Sequence, residues 1–136
     1  MFEVKNDRRK RTIYIRATGN MPPEELRAWS RDYKAATDTY RGQPHLVLAD
    51  LRGLGVLPPE GAAIVGETLE YARKRGVRRC AHLSNSSIVR LQTRRLAREA
   101  SGHDDVTVDV VSPGEADRLL EEERQKLPPP ETPGGT

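Results

Sequence analysis

The side chains of this chain that could do covalent chemistry are few and far apart. There are three histidines, His45, His82 and His103, and one cysteine, Cys80. His45 and His82 fall in short apolar runs that predict strands, and His103 falls in a loop. A nucleophile and its base could be assembled only from Ser84 and His82. These lie two residues apart, and no third group follows to orient the imidazole. HExxH, GxSxG, Walker and GxGxxG patterns are all missing. Cys80 sits within Val77-Arg78-Arg79-Cys80-Ala81-His82-Leu83, where a thiol reads as a packed apolar group rather than a nucleophile. A single cysteine allows neither an internal disulfide nor a cysteine-based zinc site. The sequence therefore predicts no catalytic residue, no metal site and no cofactor.

Charge offers more than nucleophiles do. The net charge is only +3, but residues 73–98 carry nine basic side chains and no acid, and residues 1–16 carry six Lys/Arg against two acids. Arg90, Arg94 and Arg98 recur at four-residue spacing and so form one stripe on a helix, with Arg95 and Gln92 beside it. Like charges at this spacing cost a few tenths of a kcal/mol per pair, which argues for a use. The stripe fits phosphates or an acidic protein surface, and equally a solvated helix face with Ile88, Leu91, Leu96 and Ala100 turned inward. Ser84-Asn85-Ser86-Ser87 precedes that helix. Its free N–H groups and the hydroxyls of Ser84, Ser86 and Ser87 could hold an anion, and plain N-capping accounts for the same residues. The Lys5–Arg11 cluster sits at a predicted hairpin turn. There it would discourage edge-to-edge strand pairing or extend a basic docking surface.

The elements that position these groups follow from periodicity and punctuation. Phe2–Val4 and Thr12–Ala17 read as a hairpin turning near Asn6-Asp7. Leu26, Trp29, Tyr33, Ala36 and Tyr40 share one face of a helix over residues 23–40, opened by Pro23 and Glu24-Glu25. His45–Asp50 is a nearly continuous apolar strand, as in a sheet covered on both faces. A second helix over 58–75 stops at Gly76, a strand covers Val77–Leu83, and a third helix ends at Ser101-Gly102. A fifth strand spans Val106–Val111. Ser112-Pro113-Gly114-Glu115 has the spacing of a capping box and opens the last helix. The order β-β-α-β-α-β-α-β-α predicts an α/β domain with a mixed sheet: an N-terminal hairpin, then parallel crossovers with helices packed on the sheet.

The 136 residues suit one domain, expected over 1–122, with a disordered Pro/Gly-rich tail over 123–136. The tail contains Pro130-Glu131-Thr132-Pro133, a weak PxxP spacing. Hydrophobic residues make up 35%, so the core must come from a few well-patterned segments. Six aromatic residues are too few for a platform that stacks single-stranded bases. No leader-like apolar region follows Met1, and no stretch approaches the ~20 apolar residues of a membrane span, so the expected location is the cytoplasm.

Two families offer themselves. Asp50 at the end of a central strand suggests a response-regulator receiver, but Lys5-Asn6-Asp7 and Gly19-Asn20-Met21 supply no paired carboxylates. No lysine follows the fifth strand, where Ser112-Pro113-Gly114 stands. The order instead resembles the STAS domain of bacterial anti-sigma-factor antagonists. The resemblance is carried over residues 1–122 by His45–Asp50 with Leu51-Arg52-Gly53-Leu54, Pro58-Pro59-Glu60-Gly61 opening a helix, the Gly76 stop, Val77–Leu83, the Ser101-Gly102 stop and the Glu115-Ala116 helix. It implies a non-enzymatic regulatory protein–protein interaction module. Its partner would be an anti-sigma-type kinase or another acidic protein surface. Docking would involve Leu57, Pro58, Pro59, Glu60 and Gly61 together with Arg90, Arg94 and Arg98. In the family a phosphorylated serine stands in the loop aligned with Pro58-Pro59-Glu60-Gly61. This chain keeps the glycine and has no hydroxyl there, so the usual phosphoswitch is missing. Nucleic-acid association through the third helix, and binding of a small anion or nucleotide at Ser84–Ser87, are the alternatives.

Overall fold

A computed structural model describes residues 1–101 and 106–129. His103, the Gly102 helix stop and Pro130–Pro133 lie outside the described residues. The elements run β1 (Phe2–Asp7), β2 (Thr12–Ala17), α1 (Pro23–Asp38), β3 (His45–Asp50), α2 (Pro59–Arg73), β4 (Val77–Leu83), α3 (Ser87–Ser101), β5 (Thr107–Val110) and α4 (Pro113–Lys126). The expected element order is observed.

The five strands form one sheet in the order β1-β2-β3-β4-β5. β1 pairs antiparallel with β2, and every later pair is parallel. Because each parallel crossover moves one strand further in the same direction, right-handed connections put α1, α2 and α3 on one face. The larger core lies there: Ile13, Ile15, Val47, Ala49 and Cys80 of the sheet meet Leu26, Trp29, Tyr33, Leu69, Val89 and Leu96 of the helices. Among the described helices α4 covers the other face, its Ala116 and Leu120 packing on Leu46, Ala81, Leu83 and Val110. Burial on both faces explains why β3 reads as a continuous apolar run.

α1 follows its expected face: Leu26, Trp29, Tyr33 and Ala36 are buried, and Tyr40 is buried just beyond the helix end. Its N-terminus carries Pro23, Glu24 and Glu25, which suit unpaired N–H groups and the positive end of the dipole. α4 is capped as Ser112 predicts, the hydroxyl accepting from Glu115 N at 3.2 Å. The Glu115 carboxylate reaches back to Val111 N at 3.0 Å, one residue earlier than in the standard box. The helix continues to Lys126, past the boundary expected at 122, because Arg124 donates to Lys10 O at 2.8 Å and to Thr12 Oγ1 at 2.9 Å. β1 extends to Asp7, so its turn falls at residues 8–11 rather than at Asn6-Asp7.

α3 corrects one expectation. Its inward face is Val89, Thr93, Leu96 and Ala97, whereas Ile88 and Leu91 are each 64% exposed. Gly76 is fixed more tightly than a helix stop requires. It has φ +107°, and a Cβ there would lie 2.5 Å from Gln43 O.

Candidate functional site

The parallel strands β2 to β5 all point their carboxyl ends toward one edge, where α/β sheets commonly place their binding loops. Antiparallel pairing brings the start of β1 to the same edge. The segments there are Met1, the β2–α1 loop, the β3–α2 loop, residues 84–86 before α3, and Val111-Ser112. The first loops are tied together: Gly19 N donates to Gly53 O at 2.8 Å, and Gly55 N donates to Gly19 O at 3.0 Å. A Cβ on Gly55 would lie 2.2 Å from Asn20 Oδ1, so a larger residue there would require the exposed Asn20 side chain to turn away.

The expected docking loop is held from below by α3. Gln92 Oε1 accepts from Leu57 N at 2.9 Å, and Gln92 Nε2 donates to Leu57 O at 2.7 Å. Leu57 is itself buried, as is Gly61; Pro58, Pro59 and Glu60 are exposed. Gly61 has a packing reason, because a Cβ there would come within 2.9 Å of Leu26 Cδ1 where α1 and α2 meet. Glu60 pairs with Arg27 of α1 at 2.6 Å, so its charge is partly answered within the chain.

The arginine stripe is divided by its surroundings. Arg90 donates to Ser84 O at 3.0 Å, and Arg94 Nε donates to Asp109 Oδ2 at 2.9 Å. Arg95 pairs with Glu99 at 3.1 Å. Arg98 is exposed near the opposite end of the helix, so the three stripe residues do not form one free surface. Ser84 is buried, its hydroxyl accepting from Ser86 N at 3.2 Å and donating to Ser86 O at 3.2 Å. Ser86 Oγ accepts from Val89 N at 3.3 Å as the N-cap of α3, and Ser87 is exposed in the first turn. These contacts are those of capping.

The groups singled out for chemistry are separated. His82 and Cys80 are buried in the wall of an apolar cavity of about 50 Å³ between the sheet and α1–α2. His45 lies at the opposite end of β3. Its Nδ1–H donates to Gln43 O at 2.8 Å, so Nε2 accepts from Thr37 Oγ1 at 2.5 Å. Burial holds its pKa below the ordinary value, and the nearby Arg11 charge adds to this. Asp50 is clamped by Arg52 through Nε at 3.0 Å and Nη2 at 2.8 Å, and that pairing lowers its carboxyl pKa.

What sequence reasoning missed is the placement of exposed apolar side chains. Among the described residues the large exposed hydrophobics are Met1, Val56, Ile88, Leu91 and Val111, 56–78% exposed. All five fall at the carboxyl edge or on the first two turns of α3 that rise from it. Beside Val56, a shallow groove is lined by Asn20, Met21, Pro22, Leu57 and Pro58. Leaving a side chain of this size in water forgoes roughly 1.5–3 kcal/mol that burial would give. Single exposed apolar residues are ordinary, and what sets these five apart is that they share one end of the molecule.

The fold is thus an α/β sheet of sequential strand order with a loop-built edge at which large apolar side chains are exposed among polar ones. No known family model matches the chain, and no curated protein sequence matches it. None of the described helices is long and apolar enough to cross a membrane.

Proposed function

We propose that the chain is a non-enzymatic regulatory module of the cytoplasm that binds a partner protein through the carboxyl edge of its sheet. The carrying observation is the collection of Val56, Ile88, Leu91 and Val111 at that edge. Protein interfaces need such an apolar centre, which the exposed Pro58 and Pro59 extend and the exposed Glu60 borders with charge. The reading accords with the resemblance to anti-sigma-factor antagonists, in which the loop opening the second helix is a docking element. Pro58-Pro59-Glu60-Gly61 offers no hydroxyl to esterify, so binding here is governed by partner availability rather than by phosphorylation of this loop. The engaged Arg90 and Arg94 shape the surface through Ser84 and Asp109, and the partner's main contacts are apolar. An anti-sigma-type kinase is the partner class this reading favours.

The test is capture of the partner from an extract of the source cells, followed by titration of the purified pair. Ile88→Gln with Leu91→Gln should weaken binding at least tenfold and leave the melting temperature nearly unchanged. Unchanged affinity in that double variant removes the carboxyl edge as the docking surface.

A further inference from the structure

The opposite edge of the sheet, at the amino ends of the parallel strands, has a different character. Three chain reversals stand there in a row. The β1–β2 turn at residues 8–11 is joined to the α1–β3 loop through Arg11 Nη2, which donates to Pro44 O at 2.7 Å, and through Leu46 N, which donates to Arg11 O at 2.8 Å. The α1–β3 loop is joined to the turn at Gly76 through His45 N, which donates to Gly76 O at 3.0 Å. The row therefore presents Arg8, Arg9, Lys10, Arg41, Lys74 and Arg78 along one continuous edge, all of them exposed. Lys74 pairs with Glu70, and Arg8 is held by Thr39 O and the Tyr40 ring. Among the described residues, the side chains of Arg9, Lys10, Arg41 and Arg78 have no hydrogen-bond or ion-pair partner.

Local stability does not account for all of this charge. Helix C-termini favour nearby cations, which explains Lys74 after α2. It does not explain Arg9 and Lys10 at a hairpin turn, or Arg78 within β4. Arg41 adopts φ +52°, a left-handed conformation that glycine would take at less cost. Arg11 shares that conformation and bonds to Pro44 O, whereas the Arg41 side chain makes no such bond among the described residues.

We infer that this amino edge binds the phosphate backbone of double-stranded nucleic acid without reading its sequence. The cations are mostly guanidinium groups, whose planar fork matches phosphate oxygens. The large exposed hydrophobics all lie at the other edge, so this surface has no apolar centre for a protein interface. Nucleic-acid interfaces are instead polar and strongly positive. The scarcity of aromatic side chains favours duplex backbone over stacked single strands. This surface is separate from the third-helix stripe and from the protein-binding edge, so the two inferences stand or fall apart.

The test is a titration of the full chain with a labelled DNA duplex and an RNA duplex of the same sequence, and with poly-glutamate, at several salt concentrations. Dissociation constants of about 1–100 µM for either duplex are expected, with log K falling against log[salt] at a slope of about −4. A variant combining Arg9→Gln, Lys10→Gln, Arg41→Asn and Arg78→Gln should bind at least tenfold more weakly, with a slope near zero. Arg31→Gln, which removes an exposed cation from α1, should stay within about twofold. No duplex binding to about 100 µM at low salt, or unchanged binding by the fourfold variant, overturns the inference. Poly-glutamate binding as tightly as the duplexes replaces it with an acidic-protein surface. The far-UV spectrum of the fourfold variant, unchanged, certifies that its fold is intact.

Discussion

Gln92 grips the backbone of Leu57 from both sides, its amide accepting from Leu57 N at 2.9 Å and donating to Leu57 O at 2.7 Å. A side chain on α3 thereby completes the hydrogen bonding that a neighbouring strand would otherwise give this loop. Val56 and Pro58 are exposed on either side of the gripped residue, so this glutamine helps to hold the loop proposed to meet a partner.

Gln92→Ala should therefore act on the loop as well as on stability. Removing both bonds leaves two partly buried backbone groups unanswered, for an expected loss of about 1–3 kcal/mol in urea unfolding. Hydrogen exchange at the Leu57 amide should accelerate in the same variant, and exchange at wild-type rate would show that the amide grip is not what holds the loop.

The glycines at the amino edge separate two effects. Gly76→Ala meets both an unfavourable backbone region and Gln43 O at 2.5 Å, so it should cost about 3 kcal/mol or more. Gly42 has φ +80° but open space around a Cβ, and Gly42→Ala should cost only roughly 1–2 kcal/mol. Thermal unfolding of the two variants side by side measures the difference, and equal losses would contradict the close approach at Gly76.

His45 makes stability depend on pH in one direction. Its folded pKa lies below 6.5, chiefly through burial, so between the two values the unfolded chain binds a proton that the folded chain does not. Its contribution is fully present above about pH 6.5 and declines as pH falls toward the folded value. Titration of the His45 ring resonance should give a midpoint below that of an exposed histidine. Thr37→Val, which removes the hydroxyl donor to Nε2, should cost about 1–3 kcal/mol at neutral pH.

The arginine stripe should prove energetically uneven. Arg94 is matched to Asp109, whose side chain is only 17% exposed, so Arg94→Ala strands a largely buried carboxylate and should cost about 1–2 kcal/mol. Arg98→Ala, at an exposed site, should stay within about 0.5 kcal/mol. Chemical denaturation of both variants at one salt concentration distinguishes them.

Much of the architecture was legible because its signals are local. The spacing of Leu26, Trp29, Tyr33 and Ala36 leaves one possible inward face, and Ser112 caps α4 within a single turn. On α3 the apolar residues lie on two sides, so the expected inward face holds at Leu96 and Ala100 and fails at Ile88 and Leu91. Thr93 and Ala97, neither strongly apolar, go inward, while Ile88 and Leu91 face out. Contacts between distant segments carried no local signal. Arg124 reaches Thr12 across 112 positions and prolongs α4 past residue 122. Arg94 finds Asp109, and Gln92 finds Leu57, only after the sheet has assembled. The segment 57–61 was legible as a loop opening a helix, but the exposure of Val56, Ile88, Leu91 and Val111 was not, since exposure is a property of the packed molecule.

The most direct test of the protein-binding edge is the amide spectrum of the isotopically labelled chain during titration with its purified partner. The account predicts the largest shifts at Val56, Glu60, Ile88, Leu91 and Val111, with little change at Arg9, Arg41 and Arg78. Shifts centred on the amino edge, with the carboxyl edge unmoved, would contradict it.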